Sequence, residues 1–227
     1  MRVLTVNVVK ELIPGPKESG WTAIDKRPQA GRVPVGELGL RGDRQCDTAN
    51  HGGPDQAVYA YAEEDALWWS EQLGREIPTG LFGENLRTAG VDLTGALIGE
   101  VWRIGDGDDA VELMVRAPRI PCITFQYRMG IARWVKRFHE AGRPGVYCKV
   151  LKPGAIGAGD PITVVSRPDH EVTAGVMFAA QDGPKMQTML DSGVDLMNEL
   201  RETARRVAGR TQVSPSAEGQ DPGSSGR

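Results

Sequence analysis

Short apolar segments with a strand-like pattern recur along the first three quarters of the chain. Glycine-rich turns separate them, and regular helices do not alternate with them, which favours a β-barrel over a doubly wound sheet. In residues 100–104 the apolar positions do not alternate cleanly, which indicates burial on both faces. The predicted strands are residues 3–9, 57–61, 100–104, 111–115, 146–151 and 162–165.

Two helices are predicted to interrupt the strands. The first opens at Glu63, where a run of acids suits the positive end of a helix dipole. The second spans residues 131–139, and its apolar side chains recur at the spacing of one helix face. The basic residues on its other face are most typical of a solvated surface. The apolar face consists of Ile131, Trp134, Val135 and Phe138, and the basic face of Arg133, Lys136 and Arg137.

The pattern becomes helical after residue 168. Helices are predicted at residues 173–180, 185–190 and 194–208, with Gly209 suited to the position after the last one. Residues 211–227 are rich in Ser, Gly and Pro, which predicts a disordered tail. We therefore expect a mainly β (α+β) protein with a barrel domain at 1–168, a small all-α appendage at 169–210, and the tail.

Composition narrows the class of protein. The formal net charge of -3 over 227 residues argues against a general binder of nucleic acid polymers. No apolar run reaches the roughly 20 residues that cross a bilayer, so no membrane span is expected. The three cysteines cannot all pair with one another, and the first residues do not resemble a signal peptide. These features predict a cytoplasmic protein with reduced thiols.

Two polar loops are candidate parts of a ligand site. In His51-Gly52-Gly53-Pro54-Asp55, the paired glycines let the backbone approach a ligand, and His51 and Asp55 supply polar side chains. The alternative is an ordinary long loop in which His51 binds Asp55 or the backbone. The second loop is Phe82-Gly83-Glu84-Asn85-Leu86, for which a structural turn and a functional loop are equally compatible with the sequence.

Cys122 is the candidate reactive residue. Pro118 and Pro121 restrict the loop that leads into it, which suits a thiol that must meet a metal or an electrophile at a fixed distance. Arg119 nearby favours the thiolate form. The alternative is a buried apolar cysteine, the interpretation that we apply to Cys46 and Cys148.

Five motifs occur in an order that resembles the MOSC family, named after the C-terminal domain of molybdenum cofactor sulfurases. The helices after residue 168 resemble the three-helix appendage of the bacterial branch that includes 6-hydroxylaminopurine reductase. The resemblance implies a β-barrel that binds a molybdopterin-type molybdenum cofactor. The motifs are Gly42-Asp43-x-x-x-Asp47, His51-Gly52-Gly53-x-Asp55-x-Ala57-Val58, Phe82-Gly83-Glu84-Asn85-Leu86, Ile98-Gly99-Glu100 and Pro118-Arg119-x-Pro121-Cys122.

The resemblance also implies roles for individual residues. Cys122 would be the molybdenum ligand and catalytic residue, which agrees with the preference of such metals for soft thiolates. Arg119 would meet the anionic pterin phosphate. The other cofactor-binding residues implied at the mouth of the site are His51, Gly52, Gly53, Asp55 and Asn85.

The expected activity is the reduction of N-hydroxylated amines or bases. The substrate would be a small molecule, and an external electron-donor protein would be needed, because the sequence has no flavin, haem or iron–sulfur motif. Two alternatives stay open: a sulfur or cofactor carrier that uses a persulfide on Cys122, and a non-catalytic anion-binding module in which Cys122 is structural.

Overall fold

A large, mostly antiparallel sheet dominates the computed structural model, which describes residues 1–18, 20–44 and 52–212. The predictions for His51, for Cys46 and for the tail beyond residue 212 lie outside these residues. The sheet contains eight strands in the order β13-β9-β10-β11-β7-β8-β1-β4. The described strands are β1 Arg2–Val9, β2 Ile13–Pro14, β3 Trp21–Thr22, β4 Lys26–Pro28, β5 Val33–Gly36, β6 Gly39–Leu40, β7 Val58–Ala62, β8 Leu86–Ala89, β9 Val101–Ile104, β10 Val111–Pro118, β11 Val146–Lys152, β12 Gly154–Ile156 and β13 Ile162–Ser166.

Six α-helices accompany the strands in the described residues. They are α1 Glu63–Leu73, α2 Ile123–Met129, α3 Trp134–Ala141, α4 Ala174–Ala179, α5 Gly183–Asp191 and α6 Asn198–Gln212, with one short 3-10 helix at Pro54–Gln56. Helix α1 connects β7 to β8, and these two strands pair in parallel. Among the described residues, no helix is both long and apolar enough to cross a membrane.

The predicted closed barrel is not confirmed, because the strand order is that of an open sheet with β13 and β4 at its edges. The sheet nevertheless curls strongly. The Val3 N–H donates to the Asp160 carbonyl oxygen at 2.9 Å, and the Gly159 N–H donates to the Val3 carbonyl oxygen at 2.8 Å. These bonds place the beginning of β1 beside the segment that enters β13.

Two details of the predicted elements were wrong. Strand β9 does alternate, because Trp102 and Ile104 are buried while Val101 and Arg103 are half-buried. Helix α6 continues to Gln212, so Gly209 lies inside the helix rather than after its end. Since glycine costs a helix only about 1 kcal/mol, the surrounding residues outweigh it.

The interior divides into two apolar clusters. The first contains buried side chains of the sheet strands together with those of α4–α6, where Met186, Met189 and Ala204 are fully buried. The second is aromatic and lies between α1, α2 and α3. Its central rings are Trp69, Phe82, Phe125, Trp134 and Phe138. This aromatic cluster supports the short helix α2, which begins immediately after Cys122.

His170 links the segment before α4 to Ile98, which lies between β8 and β9. Its Nδ1 accepts the Val172 N–H at 3.1 Å, so its Nε2 carries the proton and donates to the Ile98 carbonyl oxygen at 2.9 Å. This arrangement requires a neutral ring. Burial lowers the pKa of His170, and the bond to Ile98 only partly opposes that effect.

We expect the free energy of unfolding to decrease as the pH falls below about 6.5, the ordinary pKa of histidine. In that range the unfolded chain binds a proton at His170 that the folded protein excludes, so acid favours unfolding. The substitution His170→Asn keeps a donor and an acceptor but does not titrate. Urea denaturation at about pH 7.5 and about pH 5.5 should therefore show that the free energy of unfolding decreases less between these two pH values in the variant than in the wild type. An equal loss in both proteins would contradict this role.

Candidate active site

Cys122 lies at the junction between β10 and α2. Its backbone is extended (φ −129°, ψ 173°), and the helix begins at the next residue. The side chain is half-buried, whereas that of Cys148 in β11 is fully buried, and burial raises the pKa of the Cys148 thiol. Of these two described thiols, only Cys122 is partly exposed, and the burial of Cys148 confirms the interpretation of that residue as a buried apolar cysteine.

Arg119 is a fixed cation beside Cys122. Its guanidinium lies over the rings of Phe125 and Tyr59, at 4.1 and 4.8 Å from the ring centroids, and it donates to the Phe82 carbonyl oxygen. Burial works against its charge, but Tyr59, Tyr147 and Cys122 raise the pKa of Arg119 above its usual value. The charge therefore persists at all relevant pH values, and it favours the thiolate form of Cys122.

Tyr147 is a third residue of this site, beside Arg119 and Cys122. It lies in β11, and its ring centroid is 5.0 Å from that of Tyr59. Burial raises the pKa of Tyr147, Arg119 opposes that change, and Cys122 adds to it. The hydroxyl of Tyr147 is thus protonated near neutral pH and lies within electrostatic range of both Arg119 and Cys122. Sequence inspection missed Tyr147, because a tyrosine inside a strand is typical of ordinary sheet packing.

Glu84 is a structural residue of the loop after α1. One carboxylate oxygen accepts the Gly80 N–H at 2.7 Å, and the other accepts the Phe82 N–H at 3.1 Å. The carboxylate also binds the buried guanidinium of Arg87, with an Nε–Oε1 distance of 3.0 Å. Glu84 therefore shapes the turn that presents the Phe82 carbonyl to Arg119.

Asn85 joins three parts of the chain. Its side-chain oxygen accepts the Tyr59 N–H at 3.0 Å, and its side-chain nitrogen donates to Asp43 at 2.7 Å and to the Asn7 carbonyl at 3.3 Å. Asp43 in turn binds Lys26 at 2.7 Å. These bonds are all internal to the protein, and they tie the Asn85 side chain to β1, to β7 and to Asp43.

Lys26 is a buried cation that the sequence did not reveal. Burial lowers its pKa, Asp43 opposes this, and the charge of Arg119 lowers it further. Lys26 therefore lies within electrostatic range of Arg119, and its charge is paired with that of Asp43. Nothing in the local sequence signals this, because lysine in a short edge strand is usually exposed.

Asp55 lies in the 3-10 helix and forms an ion pair with Arg116 of β10, with an Oδ1–Nε distance of 2.8 Å. Arg116 also binds the Asp195 carboxylate at 3.1 Å, just ahead of α6. The neighbouring Gly52 and Gly53 both have positive φ angles, 97° and 74°. The described part of the predicted glycine loop is therefore anchored to β10 and to the C-terminal helices.

A cavity of about 180 Å³ lies against the Cys122 loop. Pro118 and Ile120 form one side of it and Tyr147 another. Met177 of α4, Met197 just ahead of α6, Leu200 of α6 and other side chains form the rest of its lining. The structure thus brings together Arg119, Cys122 and Tyr147, of which Tyr147 lines the cavity, whereas Asp55 and Asn85 bind other parts of the protein.

The curled sheet and the loop containing Cys122 define a known class. The chain belongs to the MOSC domain family, whose model matches residues 47–163. The uncharacterized protein YflK of Bacillus subtilis is 36% identical over 158 residues, which cover 70% of this chain and 69% of YflK. Protein YiiM of Escherichia coli is 32% identical over 149 residues, which cover 64% of this chain and 65% of YiiM.

Two further comparisons extend this result. A protein of Gibberella moniliformis named reductase is 33% identical over 150 residues, but this chain spans only 26% of its length. The crystal structure of YiiM from Geobacillus stearothermophilus superposes with a TM-score of 0.72 at 25% identity, and it covers 91% of this chain and 98% of that one. The structural likeness therefore extends well beyond the segment that the family model matches.

Proposed function

We propose that this protein is a molybdenum-cofactor-binding oxidoreductase that reduces N-hydroxylated amines or bases. The observation that carries the proposal is the half-buried thiol of Cys122 beside the permanently charged Arg119, in a family named for molybdenum cofactor enzymes. The name of the Gibberella moniliformis relative agrees with a reductive activity, although the match covers a minor part of that protein.

The residues around Cys122 fit a molybdopterin-type cofactor. In the described parts of the chain, no group of three or more His, Cys, Asp and Glu side chains could hold a metal. A metal at Cys122 must therefore bring most of its ligands with it, as a metal held by a pterin dithiolene does. The buried guanidinium of Arg119 suits the anionic character of such a cofactor.

Each residue has a distinct part in this proposal. The bound cofactor would supply two-electron redox chemistry, and Cys122 would be its ligand from the protein. Arg119 stabilises the thiolate form and is itself held by the Phe82 carbonyl. Tyr147 keeps a protonated hydroxyl at the edge of the cavity. Electrons would come from an external donor protein.

We also infer that the curled sheet corresponds to the barrel of the MOSC fold. The hydrogen bonds between residues 1–3 and 159–162 support this, since they connect β1 with the edge that carries β13. Residues 1–168 would then form the barrel domain and residues 169–210 the helical appendage.

The test is to purify the protein from a host that makes molybdopterin and to measure bound molybdenum and cofactor. We expect about one molybdenum per chain, together with oxidation of a reduced dye that depends on an N-hydroxylated amine. Wild-type protein that lacks metal despite cofactor supply would refute the reductase proposal. A persulfide on Cys122 without reductase activity would instead support the sulfur carrier.

A further inference from the structure

We propose that the groove between helices α5 and α6 is a second ligand site, which binds the phosphate group of a small phosphate monoester. The cavity in this groove measures about 300 Å³, at the lower end of the range for small-molecule sites. None of its lining residues belongs to the candidate active site, so the proposal does not depend on the reductase activity. The lining consists of Gln187 and Leu190 of α5 and of Arg201, Arg205, Ala208 and Gly209 of α6.

Two arginines of α6 supply the positive charge of the groove. Arg201 and Arg205 are four positions apart, so their side chains lie on the same face of the helix, where like charges repel one another. Arg201 is also the fourth residue of α6, near the helix end at which the dipole disfavours a cation. The helix alone is therefore destabilised by these charges, and an anion bound between them would relieve both effects.

The two arginines have no acidic partner among the residues that the structure describes. After residue 168, the ion pairs in that part of the chain are those of Asp195 and Lys185. Asp191 of α5 accepts a side-chain N–H of Gln187 at 2.9 Å, so this carboxylate is already held by an amide. Both guanidinium groups therefore keep their charge and their N–H donors for a ligand.

The charge of the groove indicates a phosphate monoester. Arginine binds phosphate oxygens through its paired N–H donors. A monoester carries close to two negative charges at neutral pH, which matches two arginines better than the single charge of a carboxylate does.

The remaining wall leaves room for the organic part of such a ligand. Leu190 and Ala208 supply apolar surface. Gly209 lies inside α6, where glycine is a poor helix former. A side chain at that position would meet no heavy atom within 4 Å other than those of the adjoining helix backbone. The groove is therefore open beside the arginines.

The direct test is titration calorimetry of the full-length protein with adenosine 5′-monophosphate (AMP), with adenosine and inorganic phosphate as matched ligands. We expect AMP to bind at least about tenfold more tightly than adenosine, because only AMP accepts charge-assisted hydrogen bonds. AMP should also bind more tightly than inorganic phosphate. Equal affinity for adenosine would overturn the anion site, and equal affinity for inorganic phosphate would overturn the assignment to a monoester. No binding of AMP at millimolar concentrations would overturn both.

Variants of α6 locate the binding. The double substitution Arg201→Gln and Arg205→Gln should weaken AMP binding at least about tenfold, since it removes both charged donors. Arg206→Gln removes a charge from an exposed residue of the same helix that does not line the groove, and it should leave the affinity within about twofold of wild type. An equal loss in the control would mean that only the general charge of the helix matters, which would contradict the site.

A third variant keeps the test independent of any folding defect in the double variant. Gly209→Leu replaces glycine with a strong helix former, so the helix should be retained. Its side chain would occupy the open part of the groove. We expect weaker binding of AMP by about fivefold and unchanged binding of inorganic phosphate. Unchanged AMP binding in both this variant and the arginine variant would overturn the proposal.

Metal analysis separates this site from the candidate active site. The groove variants should contain as much molybdenum as wild type, and Cys122→Ser should bind AMP as wild type does. Loss of AMP binding in Cys122→Ser would place AMP at the candidate active site and overturn the proposal. If wild-type protein contains no molybdenum, the reductase proposal fails, and the arginine variants still decide the role of the groove.

Discussion

Replacing Cys122 with serine is expected to lower the molybdenum content to less than about a tenth of wild type and the dye-coupled activity at least about a hundredfold. The serine hydroxyl is a harder and far less acidic donor than the cysteine thiol, so at neutral pH it offers the metal a weaker ligand. Arg119 lies beside Cys122 to stabilise a negative charge that serine does not provide. Metal analysis of the purified protein measures the first effect, and dye oxidation with an N-hydroxylated amine measures the second.

Cys148→Ala is the matched control for this experiment. Cys148 is fully buried in β11, so its loss should cost some stability and leave the metal content unchanged. Equal molybdenum in Cys122→Ser and wild type would remove the assignment of Cys122 as a ligand. Loss of metal in both cysteine variants would indicate a general loss of folding.

Replacing Glu84 with glutamine is expected to lower the free energy of unfolding by about 3–5 kcal/mol, because it leaves a buried arginine without its main counterion. Arg87 is 2% exposed, and its remaining acid, Glu63, is 36% exposed. The amide also fits poorly where two carboxylate oxygens now accept backbone N–H groups from Gly80 and Phe82. Urea denaturation measures the change.

The control for this prediction is Glu140→Gln, which removes an ion pair on the exposed face of α3. Lys136 and Glu140 lie 3.4 Å apart with side chains that are 58% and 62% exposed, so this change should cost no more than about 0.5 kcal/mol. A similarly small cost for Glu84→Gln would contradict the structural role of Glu84. Because Glu84 also places the Phe82 carbonyl on Arg119, a folded Glu84→Gln protein should retain less molybdenum as well.

Elements with a clear periodic pattern of apolar positions were predictable from the sequence, whereas very short elements were not. The predicted strand at residues 146–151 is β11 Val146–Lys152, and the predicted opening of the first helix at Glu63 is confirmed. Strands of two or three residues are too short to show the alternation of apolar and polar positions that predicts a strand. Examples are β2 Ile13–Pro14 and β12 Gly154–Ile156. Their pairing depends on distant partners, and the same holds for the strong curl of the sheet.

The candidate site could be located from its loops, but the partners of its side chains could not. The stiff loop before Cys122 and the nearby positive charge of Arg119 were both evident from the residues. The sequence did not show that Asp55 binds Arg116, or that Asn85 binds Asp43 across 42 positions of the chain. Such contacts arise from tertiary packing, and they decide whether a polar residue faces a ligand or the protein.

The continuous core across residue 168 bears on how this protein can be truncated or recombined. A fragment ending at that residue would expose the apolar surface that now covers Met177, Met186 and Leu196, and would leave Arg116 without Asp195. Such a fragment should aggregate or depend on a replacement for the helices. We therefore expect the smallest stable piece to be longer than the segment by which the family is recognised. Exchange of C-terminal helices between relatives should preserve Asp195, the acid that binds Arg116 from the C-terminal side of the core.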